Sequence, residues 1–158
     1  MPNWCANVLS VYFPGDVDVA GERLREFRDR VATDVEPLSL DRIVPVPVEI
    51  GNNPDGMVGY NWRVDNWGTK WDVHEVDARP GMCEIEFFFD TAWAPPVDVV
   101  RELSRLFPDA VIGLAYDEPG MDFGGFLMFR HGEEREGAEG GSRASSWADI
   151  MEMSGEWS

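Results

Sequence analysis

Twelve consecutive residues, Asn61-Trp62-Arg63-Val64-Asp65-Asn66-Trp67-Gly68-Thr69-Lys70-Trp71-Asp72, hold three of the chain's seven tryptophans and its one lysine, against twelve arginines chain-wide. A lysine kept where Arg is otherwise used points to a compact charge or an amine whose pKa can shift. Lys70 with Asp72, Arg63 and His74 has the composition of an acid/base set. Desolvation between Trp67 and Trp71 would lower the pKa of such an amine. The same residue types also make an ordinary cation–π contact beside a capping or paired aspartate. On a strand over 71–77, Trp71 and Val73 would point away from Asp72 and His74, which splits the set. The candidates are therefore binding residues: Trp62, Arg63, Asn66, Lys70, Asp72 and, from a second aromatic segment, Trp93. None is assigned a catalytic role. Trp and Arg are the types most enriched at binding hot spots. Trp67 and Trp71 are expected to lock a loop to the sheet, and Trp62 with Arg63 to face outward. Trp4, Asn7, Asn66, Trp67, Trp71 and Trp93 suggest one polar–aromatic cluster, in which Asn or Asp serves buried indole N–H groups. His74 and His131 stand far apart, and Asp117, Glu118 and Asp122 lack calcium-loop spacing, so no metal set is predicted. No Gly-rich phosphate loop occurs, and no cofactor is predicted.

These residues need a scaffold, and the hydrophobic periodicity supplies one. Asn3–Phe13 alternates as a strand, with Cys5, Leu9, Val11 and Phe13 on one side and Trp4, Ala6, Val8 and Tyr12 on the other. Val17, Ala20, Leu24, Phe27 and Val31 then recur at helical spacing. Residues 37–59 read as a long irregular segment, in which the prolines of Ile43-Val44-Pro45-Val46-Pro47-Val48 exclude a central strand and Asn52-Asn53-Pro54-Asp55-Gly56 is turn chemistry. Trp71–Asp77 and Met82–Asp90 read as a hairpin turning through Ala78-Arg79-Pro80-Gly81. Pro95-Pro96 opens a second helix with Val99, Val100, Leu103, Leu106 and Phe107 inward. Ala110–Tyr116 and Phe123–Phe129 are two further strands, with Gly124-Gly125 marking a bulge or a close approach. The order predicts an α+β, ferredoxin-like split β-α-β antiparallel sheet. Two helices cover one face, an extra strand lies at the C-terminal side, and a long loop precedes strand 2. The domain is predicted over 1–131, followed by an acidic Gly/Ser-rich linker over 132–146. A short amphipathic tail occupies 147–158, with Trp147, Ile150 and Met151 on one face. That tail either docks on its own domain or engages a partner's groove. Cys5 and Cys83 should begin neighbouring antiparallel strands, lie at opposite ends and remain free, buried thiols.

Five segments carry a family resemblance: Met1-Pro2-Asn3-Trp4-Cys5-Ala6-Asn7, Asn66-Trp67-Gly68-Thr69-Lys70-Trp71-Asp72, Phe89-Asp90-Thr91-Ala92-Trp93-Ala94-Pro95-Pro96, Leu103-Ser104-Arg105-Leu106-Phe107-Pro108 and Tyr116-Asp117-Glu118-Pro119-Gly120. Together they resemble the YubB ferredoxin-like family over roughly residues 1–134. The resemblance implies the fold and an origin among phage- and plasmid-borne bacterial proteins. That family has no defined function, so no catalytic residue is carried over.

The net charge is −17. Residues 1–130 hold 23 acids against 11 bases and residues 131–158 hold 7 against 2, so the acidity is spread over the body. Such a surface repels phosphate, which argues against nucleic-acid binding. Glu84 and Glu86 on the expected open face of the sheet also depart from base-stacking sheets. The acidity is either a solubility or salt adaptation or a surface that imitates nucleic acid and enters a basic protein groove. No apolar run is long enough for a membrane span, and the N-terminal residues lack a secretory pattern, which predicts the cytoplasm of a bacterial host cell. The leading reading is a small acidic mobile-element accessory protein that binds a host protein. Through such binding it would inhibit a host nucleic-acid-handling or defence system. The alternatives are a small-ligand binder or enzyme using a Lys70/Asp72/Arg63 pocket, and nucleic-acid binding through the sheet.

Overall fold

A computed structural model describes residues 3–51 and 56–136 of the 158-residue chain. The elements are β1 (Trp4–Tyr12), α1 (Val17–Val31), α2 (Leu40–Ile43), α3 (Val48–Gly51), α4 (Met57–Trp67), β2 (Asp77–Pro80), β3 (Glu84–Ala92), α5 (Val97–Leu106), β4 (Val111–Glu118), β5 (Phe123–Arg130) and β6 (Glu133–Glu136). They form a six-stranded antiparallel sheet in the order β2-β3-β1-β4-β5-β6. The first four strands and their two crossover helices make the predicted ferredoxin-like split β-α-β arrangement, with β5 and β6 added at one edge.

The alternation of β1 decides which face is dry. Leu9 and Val11 meet Phe27 and Leu24 of α1, Val99 and Leu103 of α5, and Ile85 and Phe87 of β3 in one core. The Phe27 ring lies 6.1 Å from Phe13, 6.3 Å from Phe87 and 5.2 Å from Phe107, in tilted or edge-on contacts that suit aromatic quadrupoles. The Asp16 side chain caps α1 by accepting from the Asp18 and Val19 amides. Arg23 of α1 reaches across to Asp109, in the turn between α5 and β4, through two 2.8 Å bonds. That guanidinium holds the Asp109 carboxyl below the usual carboxylate range.

Several expectations are corrected. The segment before strand 2 is not one irregular loop: it folds into α2, α3 and α4. The α4 helix is closed by Gly68, whose φ of 82° makes it the left-handed C-cap, its amide bonding the Val64 carbonyl. Strand 2 is not Trp71–Asp77. Glu75 takes a φ of 53°, which ends any extended run, and pairing starts at Asp77 and continues through Pro80, opposite Phe88 to Ile85. Pro80 is tolerated because β2 is the edge strand, where a missing N–H costs no ladder bond. The predicted linker at 132–146 begins instead as strand. His131 (φ 56°) and Gly132 (φ 79°) form a two-residue turn that folds Glu133–Glu136 back onto β5. The rest of that predicted linker from 137, the tail at 147–158 and the turn at Asn52–Asp55 lie outside the described residues. Gly125 is a close approach and not a bulge: it pairs regularly with Tyr116, and a Cβ there would stand 2.6 Å from the Tyr116 hydroxyl. Among the described residues no helix is long and apolar enough to cross a membrane.

Both cysteines are free, at opposite ends of β1 and β3 as expected; Cys5 is buried, but Cys83 is only half-buried. Burial pushes the Cys5 thiol up to about 12. A thiol reagent under native conditions should therefore modify one thiol per chain, Cys83, with Cys5 reacting only on unfolding; two fast equivalents would contradict this. A second expectation concerns pH. Because folding lowers the Asp109 pKa, its ion pair stabilises at neutral pH, and that contribution is lost as pH falls through the depressed value. Asp109→Asn should flatten the acid limb of the stability profile while costing no more than about 1 kcal/mol at pH 7, since the pair is partly exposed. Chemical denaturation between pH 2 and 7 checks it, and an unchanged acid limb would rule the ion pair out as its source.

Candidate functional site

The twelve-residue motif spans the end of α4 and the connection that follows, and the structure divides its residues sharply. Trp67 is buried and donates its indole Nε1–H to the Val44 carbonyl at 2.9 Å, fastening α4 to the chain after α2. Trp62 is half-buried and meets Trp67 edge-on at 5.6 Å. Asn66 Nδ2 donates to the Trp62 carbonyl one turn back. Arg63, expected to face outward, is 9% exposed, and its Nε donates to the Lys70 carbonyl. Thr69 Oγ1, also buried, donates to the carbonyl of Ala92 at the end of β3. The motif is thus tied to the sheet by Thr69 and to the segment after α2 by Trp67, while Trp71, expected to be a lock, is 37% exposed.

Asp72 is a structural anchor. Its carboxylate accepts from Ser39 Oγ at 2.8 Å, the Leu40 amide at 2.7 Å, the Asp41 amide at 3.2 Å and its neighbour Val73's amide at 2.7 Å. Three of these bonds cap the start of α2, where the orphan amides want an anion. With its oxygens so engaged, Asp72 is not placed to serve Lys70 as an acid/base partner. Lys70 instead lays its ammonium over the Trp71 ring, 4.5 Å from the centroid, with the Tyr60 ring at 5.8 Å. The Lys70 ammonium, the Asp72 carboxylate and the Arg63 Nε thus each engage a different partner. Trp93 is 46% exposed at a φ of 72°, its amide bonded to the Asn3 carbonyl.

A groove does form nearby, from residues that the motif alone does not mark. Its mouth is Trp4 of β1 and Trp71, whose rings lie 6.0 Å apart at 42°. Between them and β3 lies a space of about 270 Å³, bounded by Asp72, His74, Glu75 and Asp90. His74, Glu75 and Asp90 also bound a second space of about 450 Å³, which runs over the open sheet face above Ala6, Val8, Phe88 and Ala115. The period-two rule explains the floor: even-numbered residues of β1 and β3 face away from the helices. Glu36 holds the far wall by accepting from the Glu75 and Val76 amides. Below the groove Asn7 is buried, its Nδ2 donating to Thr91 Oγ1 at 2.9 Å and to the Cys5 carbonyl at 3.0 Å. Thr91 in turn donates to the Ala94 carbonyl at 2.6 Å. This bridge joins the Asn-Trp start of the chain to the Asp-Thr-Ala-Trp segment. Asp90 was discoverable from strand alternation. Glu75 was not, because its position follows from a left-handed backbone.

Chemically, the groove offers indole faces, an apolar floor and three acidic lining residues, Asp72 (engaged at α2), Glu75 and Asp90, a combination suited to a cationic side chain.

A family model described as the ferredoxin-like domain in Api92-like protein matches residues 66–153. Among solved structures, the protein api92 from Yersinia pseudotuberculosis superposes with a TM-score of 0.60 at 11% identity, covering 89% of this chain and 100% of that one. At that identity the likeness speaks for the fold. No curated protein matches the chain.

Two substitutions separate anchor from surface. Asp72→Ala should lower the unfolding free energy by about 1–2 kcal/mol through loss of the α2 cap. Lys70→Ala should cost about 0.5–1 kcal/mol at most, the worth of an exposed cation–π contact. Urea unfolding of the two variants checks the order; a larger loss for Lys70→Ala would contradict it.

Proposed function

This chain belongs to the family of ferredoxin-like domains of Api92-like proteins, and from that premise we propose that it works by binding another protein, taking a basic side chain of the partner into the Trp4–Trp71 groove. The observation that carries this reading is the pair of half-exposed tryptophans, 47% and 37% exposed, lining one space with Asp72, His74, Glu75 and Asp90. Exposed indoles are costly to leave in water and are the commonest anchors at interfaces. A Lys or Arg entering between them gains cation–π attraction and a carboxylate partner together. The net charge of −17 draws a basic partner in from a distance and repels nucleic acid.

The finer reading is a mobile-element accessory protein in the cytoplasm of a bacterial host. It would act on a host protein with a basic groove and so inhibit nucleic-acid handling or defence. Its support is the motif likeness to the YubB family and the acidity spread over the body. A small-ligand reading has one observation in its favour: the 450 Å³ space over Phe88 and Ala115 is the size of a small-molecule site.

The test is capture from bacterial lysate at two salt concentrations with the full chain and two variants. The wild type should retain a basic protein at low salt and release it at high salt. Trp4→Ala/Trp71→Ala should lose it with an unchanged circular dichroism spectrum, and Glu75→Gln/Asp90→Asn should weaken it about tenfold, roughly 1.4 kcal/mol. Retention of the same partner by the double tryptophan variant would refute the groove as the contact.

A further inference from the structure

The two spaces of the groove share His74, Glu75 and Asp90 and so form one channel, whose two ends differ in chemistry. At the outer end stand Trp4, Trp71 and Asp72. Every lining residue that carries a formal charge belongs to this end or to the shared stretch. The larger space continues to Ala6, Val8, Phe88, Ala115 and Tyr116, none of which is charged. Asn7, also on its boundary, is buried and has its Nδ2 bonded to Thr91 and to the Cys5 carbonyl. The Phe88 ring already meets a cation of this chain, the Arg79 guanidinium at 4.2 Å, which is itself paired with Asp77. The inner end is therefore suited to apolar matter and the outer end to a cation. The backbone of the floor is also engaged, because β1 is paired on both sides from Ala6 to Tyr12. An occupant cannot join the sheet there as an extra strand, so recognition falls to its side chains.

We propose that the groove reads two side chains of one extended segment of the partner. A Lys or Arg enters at the Trp4–Trp71 end, and a bulky apolar residue two positions away fills the space over Val8, Phe88 and Ala115. The spacing follows from strand geometry. Trp4 and Val8 are separated by four steps of β1, about 13 Å at ~3.3 Å per residue. Side chains two positions apart in an extended chain point the same way and stand about 6.6 Å apart, so one such pair spans the two halves of that length. A pair at adjacent positions would turn one of its side chains away from the floor. Charge sets the direction: the basic head goes to the indoles with Glu75 and Asp90, the apolar head to the uncharged end. The site then discriminates among basic partners. A net charge of −17 attracts any of them, whereas the inner space favours those with an apolar residue at the right distance. This inference rests on the groove being the partner's contact, as proposed above.

The experiment is an NMR titration of the full-length protein, labelled at amides, indoles and valine methyls, with three short capped peptides. The first carries arginine and phenylalanine two positions apart in an alanine background. The second has the phenylalanine moved next to the arginine, and the third has it replaced by alanine. The first should bind about tenfold more tightly than the other two, a part of the worth of burying one large apolar side chain. It should shift the Trp4 and Trp71 indoles together with the Val8 methyls and the Phe88 amide. The arginine-only peptide should shift the indoles and leave the Val8 methyls in place. Equal affinity of all three, with the indoles shifting each time, would overturn the two-side-chain reading and leave the basic anchor standing. Indoles unmoved by any of the three would overturn both. Phenethylamine, a free amine with the same ring, is a fourth probe. If it binds as tightly as the first peptide and shifts the Val8 methyls, the space is a small-molecule site and the peptide reading falls. Ala6→Phe, at an exposed position that lines only the larger space, should bring the first and third peptides to within about twofold of each other. A tenfold difference retained in that variant would overturn the inner space as the seat of the apolar side chain.

Discussion

Strand β1 is hydrogen-bonded on both sides, to β3 and to β4, and most of the molecule follows from that. From Ala6 to Tyr12 each residue has a partner on either flank, so no side chain can leave the face its position dictates. Odd positions feed the core under α1 and α5. Even positions, beginning with Trp4, are committed to the opposite face. A slip of one residue would exchange Leu9 and Val11 with Val8 and Ser10 and empty the core, so the register is held by the full weight of hydrophobic burial. The groove inherits that rigidity in its floor, where Ala6 and Val8 stand on the doubly paired part of β1, while Trp4 is paired to β3 alone.

The other wall is held by polar bonds. Asp72 ties the post-helical segment to the start of α2, Glu36 holds the backbone at Glu75 and Val76, and Arg63 braces the Lys70 carbonyl. The charged residues of the motif thus act mainly through the backbone, shaping the loop that presents Trp71. Lys70 is the exception, with its ammonium on the outer aromatic surface. That ammonium lies over the Trp71 ring at 4.5 Å, so the ring already meets a cation of this chain.

The periodic elements are legible in the sequence alone. β1, α1, β3, α5, β4 and β5 announce themselves by strict alternation or a 3–4 spacing, and their order sufficed for the ferredoxin-like arrangement. Five elements did not show: α2 and α3 are four-residue helices, too short for any periodicity, and the other three each have a physical reason of their own. The inward stripe of α4 is Gly59, Arg63 and Trp67, which has helical spacing but no continuous apolar character. β2 ends in Pro80, acceptable only because tertiary structure places it at an edge. β6 is Glu133–Glu136, whose charge reads as linker until the His131-Gly132 turn is noticed. The candidate site was legible in location but not in roles. Trp62, Arg63, Asn66 and Asp72 lie inside or under the motif as scaffold, and Trp71 faces out. Side-chain direction around a left-handed residue such as Glu75 cannot be read from spacing.

The account centres on the Trp4–Trp71 groove as the place where a basic group enters. A titration of the ¹⁵N-labelled protein with a short lysine- and arginine-containing peptide, followed through its indole N–H signals, tests this most directly. The account predicts that the Trp4 and Trp71 indoles and the Glu75 and Asp90 amides move together and saturably, while the Trp67 indole, bonded to Val44, stays in place. Movement confined to residues outside the groove, or a Trp67 signal that shifts with the rest, would contradict it.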